Sequence, residues 1–551
     1  MNRNFMVAIV VVLVAAVGFY LYKRSAEPPL PDLAPVGANL IDGLGDYSMP
    51  ITAKNKDVQR WFDQGLAMTY GFNHDAAERS YLKAAELDPD CAMCWWGAAL
   101  VLGPHVNAAM SPDNNPKAWD RLQRAQRTAS KATEKEQAFI HALSKRYAEN
   151  PPQDRKPLDE AYAKAMGELA AKYPDDNDIG ALYAESMMDL QPWDYWDANG
   201  QPKGHTAEVV QQLETVIARN PNHAGALHYY VHAVEASPDP SKGVAAADTL
   251  RALLPGSGHL VHMPAHIYIR TGDYHNAALN NEKAAEIDRQ YIQKFNVTGM
   301  YPAMYYSHNL HFLAIAAAME GRLADARKAA AQLVAHVTPM VKDIPMLEGF
   351  LPTEMLVLVR FHRWDDVLQQ PGFEEYAPSA RALWHFGRGM AYAAMRKFSE
   401  AEHERQALFD AAATVPADAK LGFNSSKEIL SLAGHLLEGH ISLARVSIPA
   451  AAEHFQQAAR IEDSLAYDEP PDWYIPPRES LGRAYMTASH YADAEKTFRE
   501  ELAHHPHSGR ALFGLWQSLK AQGKKSDAKL AEAEFRAAWK NADVKLTIED
   551  L

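Results

Sequence analysis

Cysteine is almost missing from this chain: 551 residues carry only Cys91 and Cys94, so disulfides cannot be the main source of its stability. Positive charge is also scarce. Against 69 Asp and Glu stand 55 Lys and Arg, for a formal net charge of -14. No basic run stands out that could neutralise phosphates, which argues against a nucleic-acid partner. There is no Gly-rich phosphate loop, no G-x-S-x-G elbow and no HExxH, so a kinase, a conventional serine hydrolase and a zincin are all disfavoured. Cys91 and Cys94 make a CxxC, but no His follows, and covalent c-type haem attachment is not indicated. A local disulfide or a pair of buried thiols is expected there, with a soft-metal half-site including Met93 as the alternative.

Apolar residues, Ala foremost, make up 47% of the chain, enough for a folded protein with closely packed helices. The N-terminus holds an almost unbroken apolar run from Phe5 to Tyr22, about 27 Å of helix and just enough to cross a bilayer. An uncleaved anchor is expected over residues 1–24. The competing reading is a signal peptide, because Ala16-Val17-Gly18 has a small-x-small pattern, although the apolar run continues past it. The short N-terminal tail places the large domain outside the cytoplasm: a single-pass inner-membrane protein of a bacterium with a periplasmic domain, or a secreted one if the segment is cleaved. A Pro-rich linker, Glu27-Pro28-Pro29-Leu30-Pro31, opens the stretch 25–55.

Beyond residue 56 a pattern recurs. Trp61, Gly65, Ala77, Tyr81, Ala84 and Pro89 set large and small residues at fixed spacing, and Gly482, Tyr485, Ala494, Phe498 and Pro506 return in the same frame. Gly389, Tyr392 and Ala401, and then Ala451, Phe455 and Ala458, repeat parts of it. Small residues at two positions let the paired helices approach, and large ones fill the gaps. The pattern resembles the tetratricopeptide repeat (TPR) superfamily over most of the chain after residue 56. The segment Gly258–Ala278 also looks like part of a group of bacterial secreted or membrane-attached TPR proteins, with no activity to carry over. The resemblance implies an all-α fold, a TPR-like α-solenoid of antiparallel helix pairs behind an N-terminal transmembrane helix. N-terminal units are expected over 56–175, His-rich units lining the groove over 176–345 and C-terminal units over 346–551. Insertions near 104–116 and 191–205 break the spacing, and 340–380 fits it poorly.

Histidine is the abundant residue of interest, with 24 copies. In a TPR unit the second, fifth and ninth positions of the first helix form one stripe on the concave face. Units phased on Gly272-Asp273-Tyr274 and Gly321-Arg322-Leu323 begin at Gly258 and Ser307, and the preceding one at Ala224. His259, His262 and His266 then occupy the stripe of one helix, His308 and His311 that of the next, and His228 and His232, with Glu235, that of the first. Of the histidines between 228 and 311 only His275 falls elsewhere.

Neutral imidazole is the commonest metal ligand, and helical spacings of three and four aim two rings at one point. His228, His232, Glu235, His259, His262, His266, His308 and His311 are therefore the expected metal ligands. They are too many for one ion, so two or more ions bind or some histidines stand behind the ligands. Copper or zinc leads, with iron third. Glu235, Tyr268 and Tyr305 are the candidate catalytic groups. An open coordination position would suit hydrolysis, with an imidazole as base, or oxidation beside tyrosine. Glu185 and Asp189 could add carboxylates. The aromatic, acidic loop from Gln191 to Gly200 could cover the groove or plug the surface. The acidic connector Glu462–Trp473 is expected to be a solvated loop that could instead face the groove. The contrasting reading is a scaffold whose groove binds a peptide or assembles a membrane-associated complex.

Overall fold

The computed structural model describes residues 39–551. The apolar N-terminal segment and the Pro-rich run from Glu27 to Pro31 lie outside them. No helix among the described residues is long and apolar enough to cross a membrane.

From Lys56 onward the chain runs through antiparallel helix pairs, the first being Lys56–Tyr70 and His74–Leu87. Asn55 caps the former by accepting from the Asp57 and Val58 amides, and Asn73 caps the latter by accepting from Ala76. The only strands among the described residues are Lys420–Leu421 and Asn424–Ser425, an antiparallel ribbon with Lys420 opposite Ser425.

The repeat pattern has a direct structural cause. Tyr81 lies between the helix Lys56–Tyr70 and the helix Ala92–Leu100, over a glycine of each. A Cβ on Gly65 would stand 2.6 Å from its ring and one on Gly97 2.4 Å. Near the C-terminus Phe498 repeats the arrangement between Gly482 and Gly514, at 2.4 and 2.3 Å. In these two pairs an aromatic residue on the second helix thus fills space that only glycine leaves open on its own partner helix and on the next. The expected starts at Ala224, Gly258 and Ser307 are the first residues of the helices Ala224–Glu235, Gly258–His262 and Ser307–Met319. At Met263-Pro264 the middle helix breaks and resumes as Pro264–Thr271, where proline has no amide hydrogen to continue the ladder.

The inner face is not an open groove, as the repeat pattern alone suggests. His228, His232, His259, His262 and His266 are each 0–2% exposed. Several segments close over them. The turn after the first helix contributes Phe72, and the insertion after Leu190 contributes Trp193 and Trp196, whose indole donates to the Ala233 carbonyl. The connector Glu462–Trp473 folds inward: Glu469 and Trp473 are buried, and it is not the solvated loop its acidity suggests. The C-terminal units close onto the middle of the array. Arg510 donates to the Arg360 carbonyl, and Asp543 accepts from the Leu323 amide at 2.8 Å.

Cys91 and Cys94 are joined in a disulfide. Neither thiol is available as a ligand, which removes the soft-metal half-site.

Candidate metal centre

Four segments supply the centre. The helix Ala224–Glu235 brings His228, His232 and Glu235. The broken helix brings His259 and His262 from its first part and His266 from its second. The helix Ser307–Met319 brings His308, and the turn between the first two helices brings Phe72. Two triads share no residue, His228 with His232 and His259, and His262 with His266 and His308, and His232, Glu235 and His266 form a third group between them, each with potential ligand atoms within 4.8 Å of one another. The triads adjoin, the His232 and His266 rings lying 5.5 Å apart and those of His259 and His262 5.8 Å apart.

The acceptors behind the rings fix their protons. His228 Nδ1 lies 2.6 Å from the Tyr70 carbonyl oxygen, which can only accept, so the proton is on Nδ1. His262 Nδ1 faces the Asn281 Oδ1 at 2.7 Å, while the amide nitrogen of Asn281 donates to the Ala277 carbonyl. Glu235 accepts from two rings at once, Oε1 from His232 Nδ1 at 2.7 Å and Oε2 from His266 Nδ1 at 2.5 Å. Four histidines thus carry Nδ1–H and turn a lone pair on Nε2 inward when neutral. His262 Nε2 and His266 Nε2 approach to 2.7 Å. Two lone pairs repel at that distance, and only a shared proton or a bound cation makes the contact attractive. His228 Nε2 and His259 Nε2 approach to 3.1 Å, and His232 Nε2 and His259 Nδ1 have no hydrogen-bond partner in the protein.

Burial pushes His228, His259, His262 and His308 well below the ordinary imidazole range, and the surrounding imidazoles add to the effect. His232 is lowered mainly by burial. Burial acts to raise the Glu235 carboxyl, but His266 and His232 bring it down to about 2. Burial thus favours the neutral form of these five imidazoles, beside one buried carboxylate.

Not every expected residue takes part. Glu235, expected as a ligand, does take part: its oxygens lie on ring nitrogens of both triads, and with His232 and His266 it makes a third group whose potential ligand atoms lie within 4.8 Å of one another. His311 packs its ring against Phe350 and Tyr474 and belongs to neither triad. The Tyr305 ring lies 4.9 Å from that of His259. Tyr268 turns away, its hydroxyl donating to Asp248 on the helix Val244–Leu253. Asp189 pairs with the buried Arg146 guanidinium at 2.5 Å, and Glu185 lies in the field of the same arginine, so neither reaches the centre.

Other contributors carry no signal in the pattern of histidines. Phe72 sits in the left-handed region at φ 52, a conformation that costs a side-chain-bearing residue on the order of 1 kcal/mol. Its ring lies 4.5 Å from His228 and 4.7 Å from His105, which adjoins His74 at 4.3 Å. The Tyr467 hydroxyl reaches Glu235 Oε2 at 3.2 Å and also bonds Glu469, while Arg270 donates to the Glu235 carbonyl at 3.1 Å. Trp193 approaches His232 edge-on at 5.3 Å, and thereby places the aromatic loop over the centre.

No family model matches the chain, and no curated protein sequence matches it. Solved structures of TPR proteins do align with it. Human IFIT1 bound to m7Gppp-AAAA is 13% identical, covering 88% of this chain and 91% of its own, with a TM-score of 0.33. Yeast Tom70 is 12% identical over 87% of this chain and 92% of its own, with a TM-score of 0.28. The TPR domain of P58(IPK) is 10% identical over 85% and 99%, with a TM-score of 0.21. The chain resembles the TPR superfamily in its stacked helix pairs, and the aromatic-over-glycine contacts described above express that construction within the chain itself.

Proposed function

We propose that the chain is a membrane-tethered, extracytoplasmic metalloprotein whose centre takes two transition-metal ions. One is held by His228, His232 and His259, the other by His262, His266 and His308. The observation that carries this reading is the fixed direction of the ring protons. Tyr70, Asn281 and Glu235 each take an Nδ1 proton, so that Nε2 lone pairs face inward in a buried space. Second-shell acceptors of this kind are what orient imidazole toward a metal.

The donor set fits the ions expected from the sequence. Neutral imidazoles with no thiolate suit copper or zinc, and iron next. A bound ion would supply Lewis acidity, and copper or iron redox chemistry as well. The chain's own residues do the rest: Glu235 holds two ring protons in place, Trp193 and Phe72 exclude water, and Tyr467 links Glu235 to Glu469. The apolar segment Phe5–Tyr22 supports the membrane tether, and bonded cysteines fit an oxidising compartment.

Mass spectrometry of the purified soluble fragment tests the reading. About two equivalents of copper, zinc or iron are expected, with the loss of metal in a variant carrying His262→Ala and His308→Ala. A protein that is empty and also refuses added metal refutes it. The second reading, a scaffold for a protein or peptide partner, is supported by the stacked helix pairs, an architecture that presents extended surfaces. Because the inner face is filled by side chains, such a partner would use the outer surface.

A further inference from the structure

A cavity of about 170 Å³ lies beside the histidines, between the connector Glu462–Trp473 and the helices carrying Arg270 and Tyr274. Aromatic residues wall much of it: Tyr274, Tyr467, Trp473 and Tyr474. Five carboxyl groups also line it, from Glu462, Asp463, Asp468, Glu469 and Asp472, against the guanidinium of Arg270 and the imidazoles of His504 and His505. Three polar atoms of its lining residues are buried and without a hydrogen-bond partner in the protein: Glu469 Oε2, Glu462 Oε1 and the Tyr274 hydroxyl.

These atoms differ in what already balances them. Glu462 is paired with Arg478 at 3.0 Å, and Asp463 is held by the same arginine. Asp468 accepts from the Phe423 and Glu469 amides, and Asp472 from Asn424. Glu469, only 5% exposed, has the Tyr467 hydroxyl on Oε1 and no ion partner. A buried carboxyl left half-satisfied calls for an explanation. Buried acceptors, surplus carboxyls and aromatic faces together select a ligand that is cationic, rich in N–H donors and partly apolar.

We propose that this cavity binds a small organic ammonium ion, with Glu469 as its counter-charge and the Tyr274 hydroxyl and Glu462 Oε1 as further acceptors. Binding goes beyond the metal reading and does not require it, because carboxyls and aromatic rings hold the ligand, not the histidines. The cavity nevertheless adjoins the centre. The Tyr467 hydroxyl donates to Glu469, and its oxygen lies 3.2 Å from Glu235 Oε2, so the ligand lies one hydroxyl group from the carboxylate that orients both triads.

Titration calorimetry on the purified protein, with n-butylammonium, n-butanol and butyrate at equal ionic strength, tests the assignment. Saturable one-to-one binding of n-butylammonium is expected, with butanol weaker and butyrate not bound. Glu469→Gln should weaken the ammonium by about tenfold or more, and Tyr274→Phe by less, with circular dichroism confirming the fold of each variant. The comparison among the three probes uses the unaltered protein, so it decides even if a variant does not fold. The assignment is overturned if n-butylammonium does not bind, if butyrate binds as well or better and thereby makes Arg270 the anchor, or if a folded Glu469→Gln variant retains full affinity. Metal content measured on the same samples keeps the two readings apart: a metal-loaded protein that ignores the ammonium ion overturns only this assignment, and a metal-free protein that binds it upholds this assignment while telling against the metal centre.

Discussion

Replacing Glu235 by Gln tests the heart of the centre, because one side chain serves both triads. The carboxylate accepts from His232 Nδ1 at 2.7 Å and from His266 Nδ1 at 2.5 Å. A glutamine of the same shape has one oxygen to accept and one NH2 that only donates. It can satisfy one Nδ1–H but meets the other with a donor. That second ring must move its proton to Nε2, and its inward lone pair is lost. One triad therefore keeps both of its fixed inward lone pairs and the other falls to one. Loss of a second-shell partner typically costs 10–100-fold in metal affinity, about 1.4–2.7 kcal/mol. The effect should fall on one ion and leave the other in place. Mass spectrometry after dialysis against a graded series of chelators would show two equivalents declining together in the native protein and in two separate steps in Glu235→Gln. Glu235→Ala should weaken both steps. If Glu235→Gln holds both ions as tightly as the native protein, the carboxylate does not fix the ring protons and the two-triad account is wrong.

The metal-free protein should lose stability as pH falls. Burial holds His228, His259 and His308 below their ordinary range, so below about pH 6.5 the unfolded chain binds protons that the folded one refuses. Their stability contribution is complete above that pH and is lost in acid, by up to about 4 kcal/mol for the three between pH 7 and 5.5; a urea midpoint unchanged over this range would refute it. Gly97→Ala sets a methyl group against the Tyr81 ring, where a Cβ would stand 2.4 Å away. It should destabilise by about 1–3 kcal/mol, and an unchanged thermal midpoint would sink the aromatic-over-glycine account. Trp193→Ala uncovers the edge of His232. It should speed metal release to a chromogenic chelator in stopped flow with metal content unaltered, and an equal rate would mean that the loop does not cover the centre.

Much of the fold was legible because helix-pair packing depends on a short repeat of residue sizes. Gly65 and Tyr81, or Gly482 and Phe498, announce their contact at fixed spacing, and the turn glycines at 272 and 321 set the phase that placed Ala224, Gly258 and Ser307 at helix starts. The same periodicity put His228, His232, His259, His262, His266 and His308 on one face, since a stripe along a helix is a local property. His311 shares the spacing but packs against Phe350 and Tyr474, and spacing alone could not say where the centre ends. Tyr467 and Glu469 could not have been found this way at all. Tyr467 lies 232 positions from Glu235, in a connector whose composition reads as solvated, and its inward course follows from how distant units meet. Asn281 is similar: a helical asparagine acquires its role only when His262 is brought 2.7 Å away.

Those distant meetings change what kind of solenoid this is. In an open repeat array each unit touches only its neighbours, and stability is close to a sum of nearest-neighbour terms. Here His228 bonds the Tyr70 carbonyl across 158 positions and Tyr467 bonds Glu235 across 232. Arg510 reaches the Arg360 carbonyl across 150. The histidines are thus held between segments that no single repeat contains. A concave face exposed to water would hydrate its imidazoles and leave their protons free to choose a nitrogen. Closing it removes the water, and the Nδ1 atoms of His228, His232, His262 and His266 are then committed to the acceptors the fold supplies. The Tyr70 carbonyl, Asn281 and Glu235 are those acceptors, and two of the three come from helices other than the one bearing the histidine they serve. The long-range closure and the chemical definition of the centre are therefore one property of the fold. The repeat sets the histidines in a row, and the closure fixes their protons and turns that row into two sets of aligned donors.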